Sequence, residues 1–133
     1  MNYRLGRDDI FWQIGHEESP ELLASIKNLE NVEFKDKQGL TYLHVAAINH
    51  KIQVIKLLLE KGANPNCVDK RGAPPILMAL GTKNNNNQEI LRLFLEHGLD
   101  LEKKINGMTI KETILSFEEP ELAEIIKEYE NKK

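Results

Sequence analysis

The chain has 133 residues, of which 41% are hydrophobic and 29% charged, and a formal net charge of −3. These figures describe one soluble globular domain with a modest core, without the basic stripe of a nucleic-acid binder. No apolar run approaches the ~20 residues of a membrane span, and Cys67, the single cysteine, excludes an internal disulfide.

From the N-terminus, MNYRLGRDDIFWQIG holds no apolar run followed by a small-residue cleavage site, so no secretory leader is expected. A lone thiol and no leader point to a reducing, cytoplasmic setting. Repeat-like patterning starts near Asp8. Ser19-Pro20 has the order of an N-cap and a first helical residue, and Leu22 and Ile26 belong to the apolar stripe that follows. Trp12 belongs either to the core of a terminal unit or to a contact surface.

Asp36 opens DKQGLTYLHVAAINHKIQVIKLLLEKGANPN. Asp-Lys-x-Gly is turn chemistry, with Gly39 supplying a positive φ. Thr41 caps a predicted helix over 42–49, whose inner face carries Leu43, Ala46 and Ala47. After a break at Asn49-His50, residues Val54, Ile55, Leu57, Leu58 and Leu59 give the i, i+3, i+4 pattern of a second helix over 52–61. Gly62 closes it.

The Asp-Lys-x-Gly turn recurs at Asp69, 33 residues on, and a second amphipathic stretch, ILRLFLEHGLD, carries Gly98, 36 residues after Gly62. The three extra residues fall in KNNNNQ, a polar loop read either as a tolerated insertion or as a finger toward a partner. A third copy begins near Lys104. It has Gly107 in its turn, Thr109 and Glu112 at capping-box spacing, and Glu119-Pro120 at the start of its last helix. The charged tail KEYENKK and the degenerate first unit look like the solvated caps of a finished array opening at Met1. The expected organisation is an all-α single domain over 1–133. Its four stacked units run over approximately 8–35, 36–68, 69–103 and 104–131, the end units being degenerate caps. The full units are helix-turn-helix pairs behind short β-hairpin-like turns.

The residues from Asp36 to Asn66 resemble the ankyrin repeat. TYLHVAA stands where that family has Thr-Pro-Leu-His and two small residues, and LLLEKGANPN matches its second helix and the loop beyond. The second copy departs from the pattern, with Pro74-Pro75 for Thr-Pro and Leu77 for His; the end units match more weakly still. The resemblance covers the chain from about Asp8 to Tyr129. It implies an ankyrin-repeat solenoid whose turn tips and first helices line a concave face that binds a protein.

Taken by itself, the histidine in GLTYLHVAA is open to three readings: metal ligand, base or hydrogen-bonding peg. The resemblance implies the peg, bonded near its helix start and to the turn of the adjoining unit. His16, His50 and His97 share no helical face with His44 and are expected to be solvated or to cap helix ends. GHEES lacks the second histidine of His-Glu-x-x-His, GTKNNNNQ lacks the phosphate-loop pattern, and no Gly-x-Ser-x-Gly elbow occurs. No enzymatic activity, metal or cofactor is expected.

Carried over position by position, the resemblance places partner contacts at Lys37, Gln38, Leu40, Ile48 and Asn49. In the next unit it places them at Lys70, Arg71, Ala73, Gly81 and Thr82, and in the last at Ile105, Asn106, Met108, Ser116 and Phe117. Tyr42, at a partly exposed helix start, joins them, since aromatics and arginines such as Arg71 are frequent interface hot spots. The net negative charge suits a partner with a basic patch. A small acidic array of this kind is similar to some bacterial immunity proteins. That implies a monomer which binds and occludes a cognate toxin or effector domain, with no nucleic acid or membrane as partner. An adaptor linking cellular proteins is the alternative, and an enzyme with an unrecognised site a second one.

Overall fold

A computed structural model of the protein describes Ile10, Ile14 and residues 19–132. Trp12, His16 and the proposed start of the first unit at Asp8 lie outside the described residues.

Local chemistry sets most element boundaries. Helix α1 (Pro20–Lys27) starts where Ser19 Oγ accepts the Leu22 N–H at 3.1 Å, with proline in the first helical position. Helix α2 (Tyr42–Ile48) starts at Thr41, whose Oγ1 accepts the His44 N–H while His44 Nδ1 accepts the Thr41 N–H at 3.1 Å. Helix α3 (Ile52–Glu60) has no side-chain cap at its start, and the chain leaves its C-terminus through Gly62 at φ 96°. Helix α4 (Pro75–Leu80) follows Pro74 and also lacks a side-chain cap. Helix α5 (Asn87–Glu96) comes after the asparagine-rich loop. Strands β1 (Lys104–Ile105) and β2 (Met108–Thr109) pair antiparallel, Ile105 opposite Met108. Asn106 at φ 54° and Gly107 at φ 90° form the tight turn between them. Helix α6 (Ile110–Leu115) carries the capping box expected from Thr109 and Glu112, and α7 (Pro120–Asn131) starts on a proline.

The helices stack in two rows. Helices α2, α4 and α6 lie side by side in one row and α1, α3, α5 and α7 in the other. The dry layer between the rows includes Leu22, Ile26, Val54, Ile55, Leu58, Ile76, Leu91, Phe94, Ile114 and Ile126. Ile14 is fully buried in the same layer and Ile10 packs against it. Each large side chain buried there contributes about 1.5–3 kcal/mol, so every unit depends on its neighbours for most of its stability. Ala46, Ala47 and Ala79 are fully buried, and their small size lets α2 and α4 approach closely. Leu57, expected on the apolar stripe of α3, is half-buried at its border.

The asparagine loop folds back on itself. Asn84 Oδ1 accepts the Asn86 N–H at 2.9 Å, and the buried Asn87 side chain donates to the Thr82 carbonyl at 2.9 Å. The first two turns are organised by aspartate rather than by a strand ladder. Asp36 Oδ1 accepts the N–H groups of Gln38 and Leu40, and Asp69 Oδ1 accepts those of Arg71 and Ala73, all at 2.9 Å. Only the third turn, 104–109, is a ladder among the described residues.

Candidate partner-binding face

The three turns project from the row of α2, α4 and α6, and the first two are pinned together. The Lys70 N–H donates to the Gln38 carbonyl at 2.9 Å. Gly39 makes this approach possible: its φ is +81°, and a Cβ there would sit 2.9 Å from Lys70 N. His44 adds a second tie. Because its Nδ1 accepts from the Thr41 N–H, the ring proton is on Nε2, which donates to the Ala73 carbonyl at 2.9 Å. Burial pushes the His44 pKa below its ordinary value, against the opposing pull of the Ala73 carbonyl and the Asp69 carboxylate. The ring is therefore a neutral peg joining a capping box to the next unit.

His50 supplies a third tie. Its Nε2 lies 2.9 Å from the Ala79 carbonyl, near the end of α4. The expectation of a solvated or capping residue is thus sharpened, since His50 caps the neighbouring unit's helix and not its own. His97 behaves locally, its Nδ1 lying 2.9 Å from the Leu93 carbonyl. Cys67 is half-buried with its Sγ 3.8 Å from Thr41 Oγ1, and burial pushes its thiol pKa up, unlike an activated nucleophile. Among the described residues, no three of His, Cys, Asp or Glu gather as metal ligands would.

The second and third turns are not pinned. Leu77 occupies the register of His44 and has no ring nitrogen to donate. The third turn spends its backbone groups on its own ladder. No backbone hydrogen bond joins these two turns among the described residues. A cleft of about 260 Å³ opens between them, lined by Arg71, Gly72, Ala73, Pro74, Leu77, Ile105, Asn106 and Thr113.

The residues carried over by resemblance separate into distinct places. Lys37, Gln38, Lys70 and Arg71 are exposed on the first two turns, and Asn106 and Met108 on the third. Ile48 and Asn49 are exposed at the end of α2, Gly81 and Thr82 after α4, and Ser116 after α6. Leu40, Ala73, Ile105 and Phe117 are half-buried, and Phe117 packs against the core. Tyr42 requires a correction. Expected at a partly exposed helix start, it is 8% exposed, because its ring packs into the core with Phe34 stacked on it at 6.1 Å. Of the expected contacts, Arg71, Ala73, Ile105 and Asn106 meet at the cleft. Its other walls, Gly72, Pro74, Leu77 and Thr113, lie outside the set of expected contacts. The available signals were Leu77 in a histidine register and an Asn-Gly turn where the earlier copies have Asp-Lys-x-Gly.

Charge is segregated. The turns carry Lys35, Lys37, Lys70, Arg71, Lys103 and Lys104. Their aspartates are occupied: burial alone would raise the Asp69 pKa, but the N–H groups of Ala73 and Arg71 and the Arg71 guanidinium hold it below the usual value. The acidic surplus lies around α7, with Glu118, Glu121, Glu124 and Glu128 exposed. A net charge of −3 is complementary to a basic partner, whereas the turn ridge itself is locally positive.

A family model of ankyrin repeats (3 copies) matches residues 12–105 and 43–130. Among curated relatives, human BCL-6 corepressor-like protein 1 is 36% identical over 74 residues, 56% of this chain and 4% of its own length. Human transient receptor potential cation channel subfamily A member 1 is 34% identical over 83 residues, 62% of this chain and 7% of its own. Mouse tRNA endonuclease ANKZF1 is 40% identical over 62 residues, 47% of this chain and 8% of its own. The matched stretch is thus a small part of each of these relatives.

Proposed function

The chain belongs to the ankyrin-repeat family, and from that premise we propose that it is a non-catalytic module that binds one partner protein through its turn ridge. The observation that carries this reading is the pinned pair of turns, which holds Lys37, Gln38, Lys70 and Arg71 exposed on a rigid edge. Side chains presented on a preorganised edge bind with little further ordering cost. In its most concrete form the module occludes the partner's working surface, as an immunity protein blocks a toxin. The surface met by the ridge is acidic, the reverse of what net charge alone implies. The cytoplasmic setting rests on Cys67 as the lone cysteine; no helix of the described residues is long and apolar enough to cross a membrane.

A second reading, a docking segment that tethers proteins without inhibiting them, is favoured by the relatives. A corepressor-like protein, a cation channel and a tRNA endonuclease have different activities but share a stretch of this kind. Such a stretch fits attachment better than any one of those activities.

Capture from native lysate tests both readings. One partner held at one-to-one ratio, with its own activity blocked, supports occlusion; one whose activity persists supports tethering. Charge reversal at Lys37, Lys70 and Arg71 together is expected to weaken capture while leaving thermal melting unchanged. Unaltered affinity in that variant removes the turn ridge from the site.

A further inference from the structure

We propose that the cleft between the second and third turns receives one apolar side chain of the partner protein, carried on an extended segment whose flanking residues are acidic. This deepens the binding reading above and rests on it.

The cleft follows from two departures at one junction. Leu77 cannot bridge as His44 does, and the ladder at 104–109 closes on itself. Its walls are mainly apolar, from Ala73, Pro74, Leu77 and Ile105, and Leu77 and Ile105 are left only half-buried. A volume of about 260 Å³ falls below the ~300–1,000 Å³ that encloses a small-molecule ligand. It suits a single large side chain entering from a polypeptide. Both walls are held in advance: the second turn by the Lys70–Gln38 and His44–Ala73 hydrogen bonds, the third by its own strands.

The rim decides the flanking chemistry. The Arg71 side chain is 87% exposed, and its nearest acid, Asp69, stands 3.9 Å away with its other carboxylate oxygen on backbone N–H groups. Lys70 and Lys104 are exposed beside it. Glu112, on the α6 side, accepts the Thr109 N–H within its capping box. The ionised Asp69, Glu102 and Glu112 offset part of this charge, but the cations of the turns outnumber them, so the rim favours an acidic segment over a basic one.

The test uses the full chain and a capped synthetic peptide with a central leucine flanked on both sides by glutamate and aspartate. In methyl NMR, the resonances of Leu77 and Ile105 are expected to shift on titration. Replacing the central leucine with alanine, or Arg71→Glu in the protein, is expected to weaken binding about tenfold. Thr113→Phe fills the cleft and is expected to remove the shifts without changing the melting temperature. No shift at Leu77 or Ile105 at millimolar peptide, or equal binding of a lysine-flanked peptide, overturns the proposal. Because the titration uses the unaltered chain, it decides the matter even if Thr113→Phe fails to fold. Self-association that Thr113→Phe abolishes would assign the cleft to a second copy of the chain and overturn the proposal too. A lysate partner sensitive to turn charge reversal but indifferent to Thr113→Phe removes the cleft and leaves the ridge standing. Peptide binding by a protein with no lysate partner does the converse.

Discussion

The junction between the first and second turns and that between the second and third repeat one architecture with opposite outcomes. At the first, Gly39 admits the Lys70 backbone, His44 reaches Ala73 and His50 reaches Ala79. At the second, Leu77 has no ring nitrogen to reach the next turn, and Gly72 at φ +84° has nothing within 4 Å of where its Cβ would lie. Helix stacking continues across both junctions because the apolar layer is continuous. Stacking and closure are therefore separate properties. Burial holds the units in line, and a few directed hydrogen bonds decide whether adjacent turns touch.

The largest expected effect breaks the pinned junction at its peg. His44→Ala leaves the Thr41 N–H without a partner inside a buried site and takes from the Ala73 carbonyl one of its two donors, the Asp69 N–H remaining at 3.0 Å. It should cost about 2–4 kcal/mol from one unsatisfied group, a lost bridge and a small cavity. That is a large share of the ~5–15 kcal/mol typical of a domain. Leu77→Ala, in the same register one unit on, should cost about half as much, since that side chain is half-buried and holds no bridge. Urea unfolding of the two variants measures the ratio, and equal losses would erase the distinction between the junctions.

The glycines sharpen the same contrast. Gly39→Ala meets both a positive φ and backbone at 2.9 Å, for about 2–4 kcal/mol. Gly72→Ala meets only the positive φ, for about 1–2 kcal/mol. Melting curves that reverse this order would mean that the first two turns are not in close contact.

The smallest effect is acid sensitivity. His44 has a folded pKa below its ordinary 6.5, so above that value both folded and unfolded chains keep the ring neutral and stability does not change on its account. As pH falls below 6.5 the unfolded chain takes the proton first, and stability declines until the folded pKa is passed. Asp69, lowered from 3.8, adds a further loss only in stronger acid. Denaturation midpoints at pH 7.5 and 5.5 should differ for the unaltered chain, with a smaller difference in His44→Gln. An unchanged pH dependence in that variant would remove His44 as the titrating peg.

Much of the fold was legible because its signals are local. Ser19, Thr41 and the Thr109–Glu112 pair cap helices within three residues of themselves, and Gly62 ends α3 by a backbone preference of its own. The misreading at Tyr42, and the partners left unidentified at other positions, concern groups that lie farther off. Tyr42 read as a helix-start aromatic, yet its exposure is set by the core beneath it and by Phe34 folded over it. His50 read as a turn residue, and its acceptor is 29 positions away. Net charge pointed to a basic partner, while the turns gather lysine and arginine away from the acidic α7 region.

By itself the sequence determined the repeat, the capped helices and the apolar stripes that oblige them to stack, since periodicity and capping act over one or two turns of chain. The tertiary structure alone decided which turns meet, where the cleft opens and which charge the turns present. Those outcomes depend on donors and acceptors about thirty residues apart, brought within 3 Å or left unmatched only when the units stand side by side.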